Sequence, residues 1–325
     1  MNPDLIEVEK FEQVISTLSE RFSTYGFQRI KTPAFERYDL YSKVTGSVNR
    51  KEMVKVIDPS GEVLVLRPDV TIPITQELSH AHRKLTSEHR FYYIQEVFRR
   101  SSDPTEKIER TQAGIEYFCK SSPGVDADTI LLALNTMKDL KFTDIKIEIG
   151  HTAFFQEMIS QLPLTELQLN QLKACIQAKN SVEIGTLLEN VDADTAIKNA
   201  VAQIPTLYGK PEEVLKRAEE ISTTSRMRET LSYIGEVCRR ITANGLEEHL
   251  VIDFGLINRM DYYSGILFQG YVGRFGKPVL MGGRYDKLGH EFGADLPAIG
   301  FACEIESLLK ASDNQKMFNE TKGDA

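Results

Sequence analysis

Gly282-Gly283-Arg284-Tyr285-Asp286, followed by Pro297-Ala298-Ile299-Gly300-Phe301-Ala302-Cys303-Glu304-Ile305-Glu306-Ser307-Leu308, is the stretch whose reading decides the fold. Taken alone, the paired glycines signal a tight bend more readily than a phosphate cradle. The polar residues that close the second run, Glu304, Glu306 and Ser307, decide what a site built here supports. No arginine stands among them. A serine hydroxyl does not replace the planar, charge-assisted fork by which arginine grips a phosphate.

The stretch lies in a chain of 325 residues, 41% of them hydrophobic, which is enough for one large domain and a smaller one. Asp and Glu number 47 against 39 Lys and Arg, a net charge of -8. Sequence-independent nucleic-acid binding needs clustered positive charge, so this balance argues against tRNA as a main ligand. Cys119, Cys175, Cys238 and Cys303 lie far apart, without a CxxC pair or a Cys/His cluster at zinc spacing, and read as buried, reduced thiols; no metal is expected. The six histidines stand without a Ser or Cys motif and suggest no chemistry. Met1 to Lys10 lacks the flanks of a signal peptide and no apolar run approaches membrane length, so the expectation is a cytoplasmic protein with no membrane partner.

Phe11, Val14, Ile15, Leu18 and Phe22 recur at helical spacing and stop at Gly26, predicting a helix over roughly 8–25. Phe27 to Glu36 alternates as a strand and meets Pro33. Lys51 to Asp58 and Glu62 to Arg67 read as a hairpin turned by Asp58-Pro59-Ser60-Gly61, running into Leu66-Arg67-Pro68-Asp69-Val70-Thr71. Phe91 to Arg100 and Gln112 to Cys119 read as strands around a charged loop holding Asp103 and Glu106. Glu116 is the informative residue of the second strand, because a carboxylate in an apolar strand is costly unless paired. Asp126-Ala127-Asp128 reads as the N-cap of a helix, with Ile145 to Ile149 as the next strand. Periodicity is helical from about Thr152 to Gly245, and strands return at Leu250 to Phe254 and Tyr262 to Val272. These elements divide the chain into a core of 1–151, an inserted helical domain of 152–245, a second core part of 246–310 and a polar tail of 311–325.

The helix, strand and Pro33, the strand pair around Arg99, and the glycine run resemble motifs 1, 2 and 3 of the class II aminoacyl-tRNA synthetases, and within them the histidyl group. The resemblance implies an α+β fold, an antiparallel sheet flanked by helices, with a two-fold homodimer through the motif 1 region. Arg99 matches the motif 2 arginine that holds the ATP α-phosphate, but Ser101 stands where an acid is expected and Ser307 where motif 3 has its arginine. Losing one contact to a transition-state phosphate costs about 2.7–4 kcal/mol. The signature Ile257 to Gly265 places Asn258 at the family's catalytic arginine, with Arg259 one position later and Asp261 following. The residues after motif 3 read as a polar tail, so no anticodon-binding domain is expected there. For a bound free histidine, the resemblance implies that Glu116 and Tyr263 address the ring nitrogens. Asp69, Thr71 and Gln112 would hold the amino end, and Tyr262 and Tyr285 would line the pocket.

A histidine pocket with incomplete ATP motifs is similar to the regulatory-subunit family of ATP phosphoribosyltransferase. That likeness implies a non-catalytic subunit without a cofactor, bound to a short-form catalytic subunit in a hetero-octamer, which senses histidine at the first step of histidine biosynthesis. A minimal histidine-activating ligase and a non-catalytic tRNA-binding relative are the alternatives.

Overall fold

The computed structural model describes residues 3–44, 48–101, 107–257 and 262–313. The predicted first helix is α1, Pro3–Thr24, and the chain leaves it through Gly26 at φ 79°, a left-handed conformation that glycine takes without strain. The strand expected from Phe27 to Glu36 is instead two pieces in two sheets, β1 (Gln28–Arg29) and β2 (Phe35–Arg37). Between them the backbone is held by a side chain. Arg67 is 3% exposed and donates to the carbonyls of Thr32 at 2.7 Å, Pro33 at 2.8 Å and Glu96 at 2.7 Å. Pro33 lacks the N–H a ladder needs, and the guanidinium supplies the missing donors.

After α2 (Tyr38–Lys43), the predicted hairpin forms as β3 (Lys55–Ile57) and β4 (Val63–Leu66). The Asp58 carboxylate accepts from the Ser60 and Glu62 amides at 2.8 and 2.9 Å and closes its turn. A helix that the sequence reading did not anticipate follows, α3 (Thr71–Ala81), with Pro73 in its first turn, where a missing N–H costs nothing. Strands β5 (His89–Phe98) and β6 (Glu109–Phe118), helix α4 (Pro123–Asp139) and strand β7 (Ile145–His151) come next. Residues 152–245 carry α5 (Thr152–Ile159), α6 (Glu166–Gln177), α7 (Ser181–Glu189), α8 (Thr195–Gln203), β8 (Tyr208–Gly209), α9 (Pro211–Glu220) and α10 (Ser225–Thr242). Strands β9 (Leu250–Asp253), β10 (Ile266–Val272), β11 (Leu280–Arg284) and β12 (Ala298–Glu304) complete the sheet, and 305–313 are helical. The return of the sheet comes later than the pattern suggested. Tyr262 to Gly265 form a loop, because Ser264 gives its amide to the Arg284 carbonyl and Gly265 gives its carbonyl to Thr152.

The nine-stranded sheet runs β1-β5-β6-β12-β11-β10-β7-β9-β8, parallel at β1/β5 and β7/β9 and antiparallel elsewhere. Alternation splits β6 cleanly. Ala113, Ile115 and Tyr117 join the apolar cluster that includes Leu18 and Phe22 of α1 and Ile130 and Met137 of α4, while Gln112, Gly114 and Glu116 face the other way. Register carries this second face across the sheet as the row Glu116, Gly300, Gly283, Leu267, Gly150. Gly282 and Gly283 therefore lie inside a central strand and not in a bend. One apolar cluster continues from α4 through Ile234 and Val237 of α10.

Asp126 corrects another expectation. The N-cap of α4 is Ser122, whose side chain accepts from the Val125 amide, with Pro123 at the first helical turn. Asp126 lies one turn further in, fully buried, and receives Arg284 Nε at 2.9 Å while Tyr233 of α10 donates to its other oxygen at 2.8 Å. Removing one partner of a buried ion pair strands the other, so Asp126→Ala should cost about 3–5 kcal/mol in urea unfolding, whereas breaking the exposed Arg239–Glu236 pair should leave the unfolding midpoint nearly unchanged.

Candidate functional site

The residues assigned to a pocket from the sequence meet in one cavity of about 140 Å³ on the face opposite the core. By this measure a single water needs about 10–15 Å³, so the space is well beyond one water and admits a small molecule such as a free amino acid. Gly300 of the glycine row lines it. A Cβ on Gly300 would lie 2.4 Å from Glu116 Oε2, and one on Gly283 would lie 2.8 Å from the Tyr263 ring. Both side chains occupy space that exists only because those strand positions carry none.

Glu116 sits at the centre, 2% exposed. Thr71 donates to its Oε1 at 2.6 Å, and Tyr285 donates to Oε2. Burial pushes its carboxyl up to about 8; the two hydroxyl donors pull it back and the nearby Asp69 charge pushes it further up. At neutral pH the group therefore holds its proton, which the sequence did not indicate. The Thr71 hydroxyl, expected at a ligand's amino end, spends its hydrogen on Glu116 and keeps its lone pairs for a cationic donor.

Asp69 starts α3, its Oδ1 accepting from the Ile72 amide at 2.8 Å, while its Oδ2 lies 3.9 Å from Arg99 Nη2. Burial raises its carboxyl too, against the pull of the Arg99 charge. Arg99 also bonds the Pro68 carbonyl, so the arginine matched to an α-phosphate faces an acid of the pocket. Gln112 Oε1 accepts from Tyr93 at 3.3 Å. Tyr93 lines the cavity and had no role in the sequence reading; its signal is positional, since it pairs with Gly114 across β5 and β6. The Tyr262 and Tyr263 rings lie 4.8 Å apart and tilted by 35°, with the Tyr285 ring 6.0 and 6.4 Å away and near perpendicular to each. Desolvation raises the phenols of Tyr262 and Tyr285, keeping them as hydrogen-bond donors.

Ser307 lies at the cavity wall, its hydroxyl 3.5 Å from Glu304. Glu304 is also paired with Arg110 at 3.2 Å, and Glu306 accepts the Thr111 amide at 3.0 Å. Beyond Arg99, Met281 and Glu304 the site opens into a larger polar cavity of about 1150 Å³, whose far wall holds Glu148, Asp253 and Lys179. Arg284, inside the glycine motif, is on the core side and bonded to Asp126 and Asp286. Asn258, Arg259, Asp261, Asp103 and Glu106 lie outside the described residues. Among the described residues no three His, Cys, Asp or Glu side chains form a metal-binding group, and no helix is long and apolar enough to cross a membrane.

The family profile described as histidyl-tRNA synthetase matches residues 3–308. A protein of Oceanobacillus iheyensis named ATP phosphoribosyltransferase regulatory subunit is 45% identical over 301 residues, 92% of this chain and 73% of the relative. One of the same name from Thermoanaerobacter sp. is 33% identical over 314 residues, 96% of this chain and 81% of the relative. A crystal structure described as an ATP phosphoribosyltransferase regulatory subunit/histidyl-tRNA synthetase from Bacillus halodurans superposes with a TM-score of 0.84 at 24% identity, over 94% of this chain and 79% of that one. The structure of a histidine–tRNA ligase subunit from Alicyclobacillus acidocaldarius gives 0.80 at 22%, over 97% and 96%. The two structures establish the fold.

Glu116 supplies a test. A folded carboxyl near 8, against an unfolded value of 4.5, contributes stability that is fully present below 4.5 and lost as pH rises through 8. Glu116→Gln has no proton to lose. Its melting temperature relative to the parent chain should rise between pH 5 and pH 8; a constant difference across that range would show that Glu116 does not titrate in it.

Proposed function

The chain belongs to the family of ATP phosphoribosyltransferase regulatory subunits, within the histidyl-tRNA synthetase profile, and on that premise we propose that it binds free histidine in the cavity around Glu116 and reports it to a short-form catalytic subunit. The family makes it a non-catalytic subunit of an enzyme of histidine biosynthesis. The convergence of Asp69, Thr71, Gln112, Glu116, Tyr262, Tyr263 and Tyr285 on one amino-acid-sized cavity carries the finer reading. Asp69 faces Arg99 at 3.9 Å while Glu116 has no cationic partner among the described residues, and the positive charge of histidine is what would let Glu116 ionise. Asp69, Thr71 and Gln112 take the amino end, Glu116 and Tyr263 take the two ring nitrogens, and Tyr262 and Tyr285 close the sides.

Histidine brings positive charge to carboxyls that burial has raised, so binding expels a proton from Glu116. Titration calorimetry at pH 7 in two buffers of different ionisation enthalpy should show this release. In Glu116→Gln the release should vanish and affinity should fall roughly ten- to a hundredfold. Equal affinity in the variant would place histidine elsewhere.

The chain also lacks synthetase activity in this reading. Ser101 and Ser307 occupy positions where the synthetases handle ATP, and Arg110 is engaged by Glu304. Histidine-dependent pyrophosphate exchange should be absent; exchange at synthetase-like rates would favour the second reading, a histidine-activating ligase, which Arg99 supports.

Assembly is the last element of the proposal: a homodimer through the motif 1 region, Tyr25 to Glu36, forms the core of a hetero-octamer with the catalytic subunit. Phe35 is 53% exposed on β2, and Ile57 and Val63 are exposed on the same small sheet. Sedimentation at micromolar concentration should give a dimer, and Phe35→Glu should shift it toward monomer.

A further inference from the structure

We propose that the helical segment from α5 to α10 is the arm that sets, and is set by, occupancy of the amino-acid pocket, with Thr152 and Tyr233 as its positioning residues. The inference rests on the histidine reading above and adds to it a route by which the pocket is coupled to a distant surface. Two pocket tyrosines, Tyr285 and Tyr263, are each one residue away from a hydrogen-bonded line that leaves the pocket toward this segment.

The first line passes through the sheet. Arg284 precedes Tyr285, and strand alternation turns its side chain to the opposite face, where a guanidinium 2% exposed is bonded to Asp126. The other oxygen of Asp126 takes the Tyr233 hydroxyl at 2.8 Å, and the Tyr233 ring packs edge-on against His151. A displacement of Tyr285 thus pulls on a buried ion pair whose further partners are Asp286 and, on α10, Tyr233. Such a pair resists separation, because a lone charge left in the interior is expensive.

The second line runs along the chain. Tyr263 precedes Ser264 and Gly265. Ser264 donates its amide to the Arg284 carbonyl at 2.8 Å and accepts the Asp286 amide on its hydroxyl at 2.9 Å, while the Gly265 carbonyl accepts from Thr152 N at 3.0 Å and Thr152 Oγ1 at 3.2 Å. Thr152 is the first residue of α5. Gly265 has no side chain to block the approach; a Cβ there would stand 3.1 Å from the Arg284 side chain. The two lines therefore cross at Arg284, and a shift in either tyrosine reaches both helices.

A coupling also needs somewhere to move. Tyr263 also borders a second cavity of about 220 Å³, whose lining mixes the apolar Phe155, Ile159 and Leu169 with the polar Thr152, Gln156 and Lys173. Its ring thus adjoins both the ligand site and a mixed space into which a displaced ring can move. Filling the first favours one position, and α5 and α6 read the difference. By linkage, whatever fixes these helices must change histidine affinity by the same factor.

The test uses the full chain and free L-histidine. Tyr233→Phe removes one hydroxyl and keeps the ring; Thr152→Val removes another, and Thr152→Ser restores it. The first two should weaken histidine binding about fivefold or more in calorimetry, with circular dichroism unchanged and Thr152→Ser near the parent. In the parent chain histidine should slow amide hydrogen exchange in α5 and α10, and Tyr233→Phe should abolish the effect in α10. A merely structural role lowers melting temperature and leaves affinity and ligand-dependent exchange alone. If the parent binds histidine while both variants bind it equally well, or if exchange in α5 and α10 ignores histidine, the coupling is refuted and the pocket stands. Absence of histidine binding by the parent would overturn the pocket assignment and this inference with it.

Discussion

A carboxyl group held at the centre of a sheet is the constraint around which the site is arranged. Glu116 lies in a strand whose alternate residues build the core, so its side chain has to be housed on the far face at the same depth. Three adjustments make this possible. Gly300 and Gly283 next to it in the row give up their side chains. Thr71 and Tyr285, from elements far apart in the chain, bring hydroxyls to its two oxygens. The group itself retains a proton. Each adjustment also shapes the cavity in which we propose that histidine binds.

The same economy supports the proposal that the chain does not activate histidine with ATP, because several arginines near the site are already engaged by other groups. Phosphoryl chemistry needs guanidinium groups directed at charge that develops during reaction. Arg67 is committed to the carbonyls of Thr32, Pro33 and Glu96, Arg110 to Glu304, and Arg284 to Asp126 and Asp286. Arg99 reaches the pocket but meets Asp69 there. Arginines that look available in a motif are structural here, and the acids they satisfy keep the fold together.

What the sequence revealed and what it hid divide along physical lines. Local patterns were reliable: α1, the Asp58 turn, and the alternation of β5 and β6 depend on neighbours within a few residues. The pocket residues were legible because they fall in recognisable runs, and the sheet brings those runs together. Asp126 was misread because an aspartate near a helix start is ordinarily a cap, whereas its real partner, Arg284, lies 158 residues away. The start of α3 was missed although Asp69 and Pro73 mark it, because Asp69 had already been given to a ligand. One carboxylate does both: Oδ1 fixes the helix, and Oδ2 faces the pocket. The protonation of Glu116 depends on depth of burial, which no local pattern encodes.

Placing recognition on one face of a sheet and its supports on the other has a consequence for signalling. Successive residues of β11 and the turn after it, Arg284 and Tyr285, point to opposite sides, so an adjustment of the tyrosine by a ligand is an adjustment of the arginine beneath. Packed interiors do not absorb such changes gradually, since displaced side chains leave either a void or an overlap. The strain passes to whatever holds the arginine, which is α4 directly and α10 through Tyr233. A catalyst gains from making its scaffold rigid at this point. The sensor we propose requires the opposite, a scaffold with room to shift, and the space that Tyr263 shares with Phe155 and Ile159 of α5 and Leu169 of α6 is where such a shift would register.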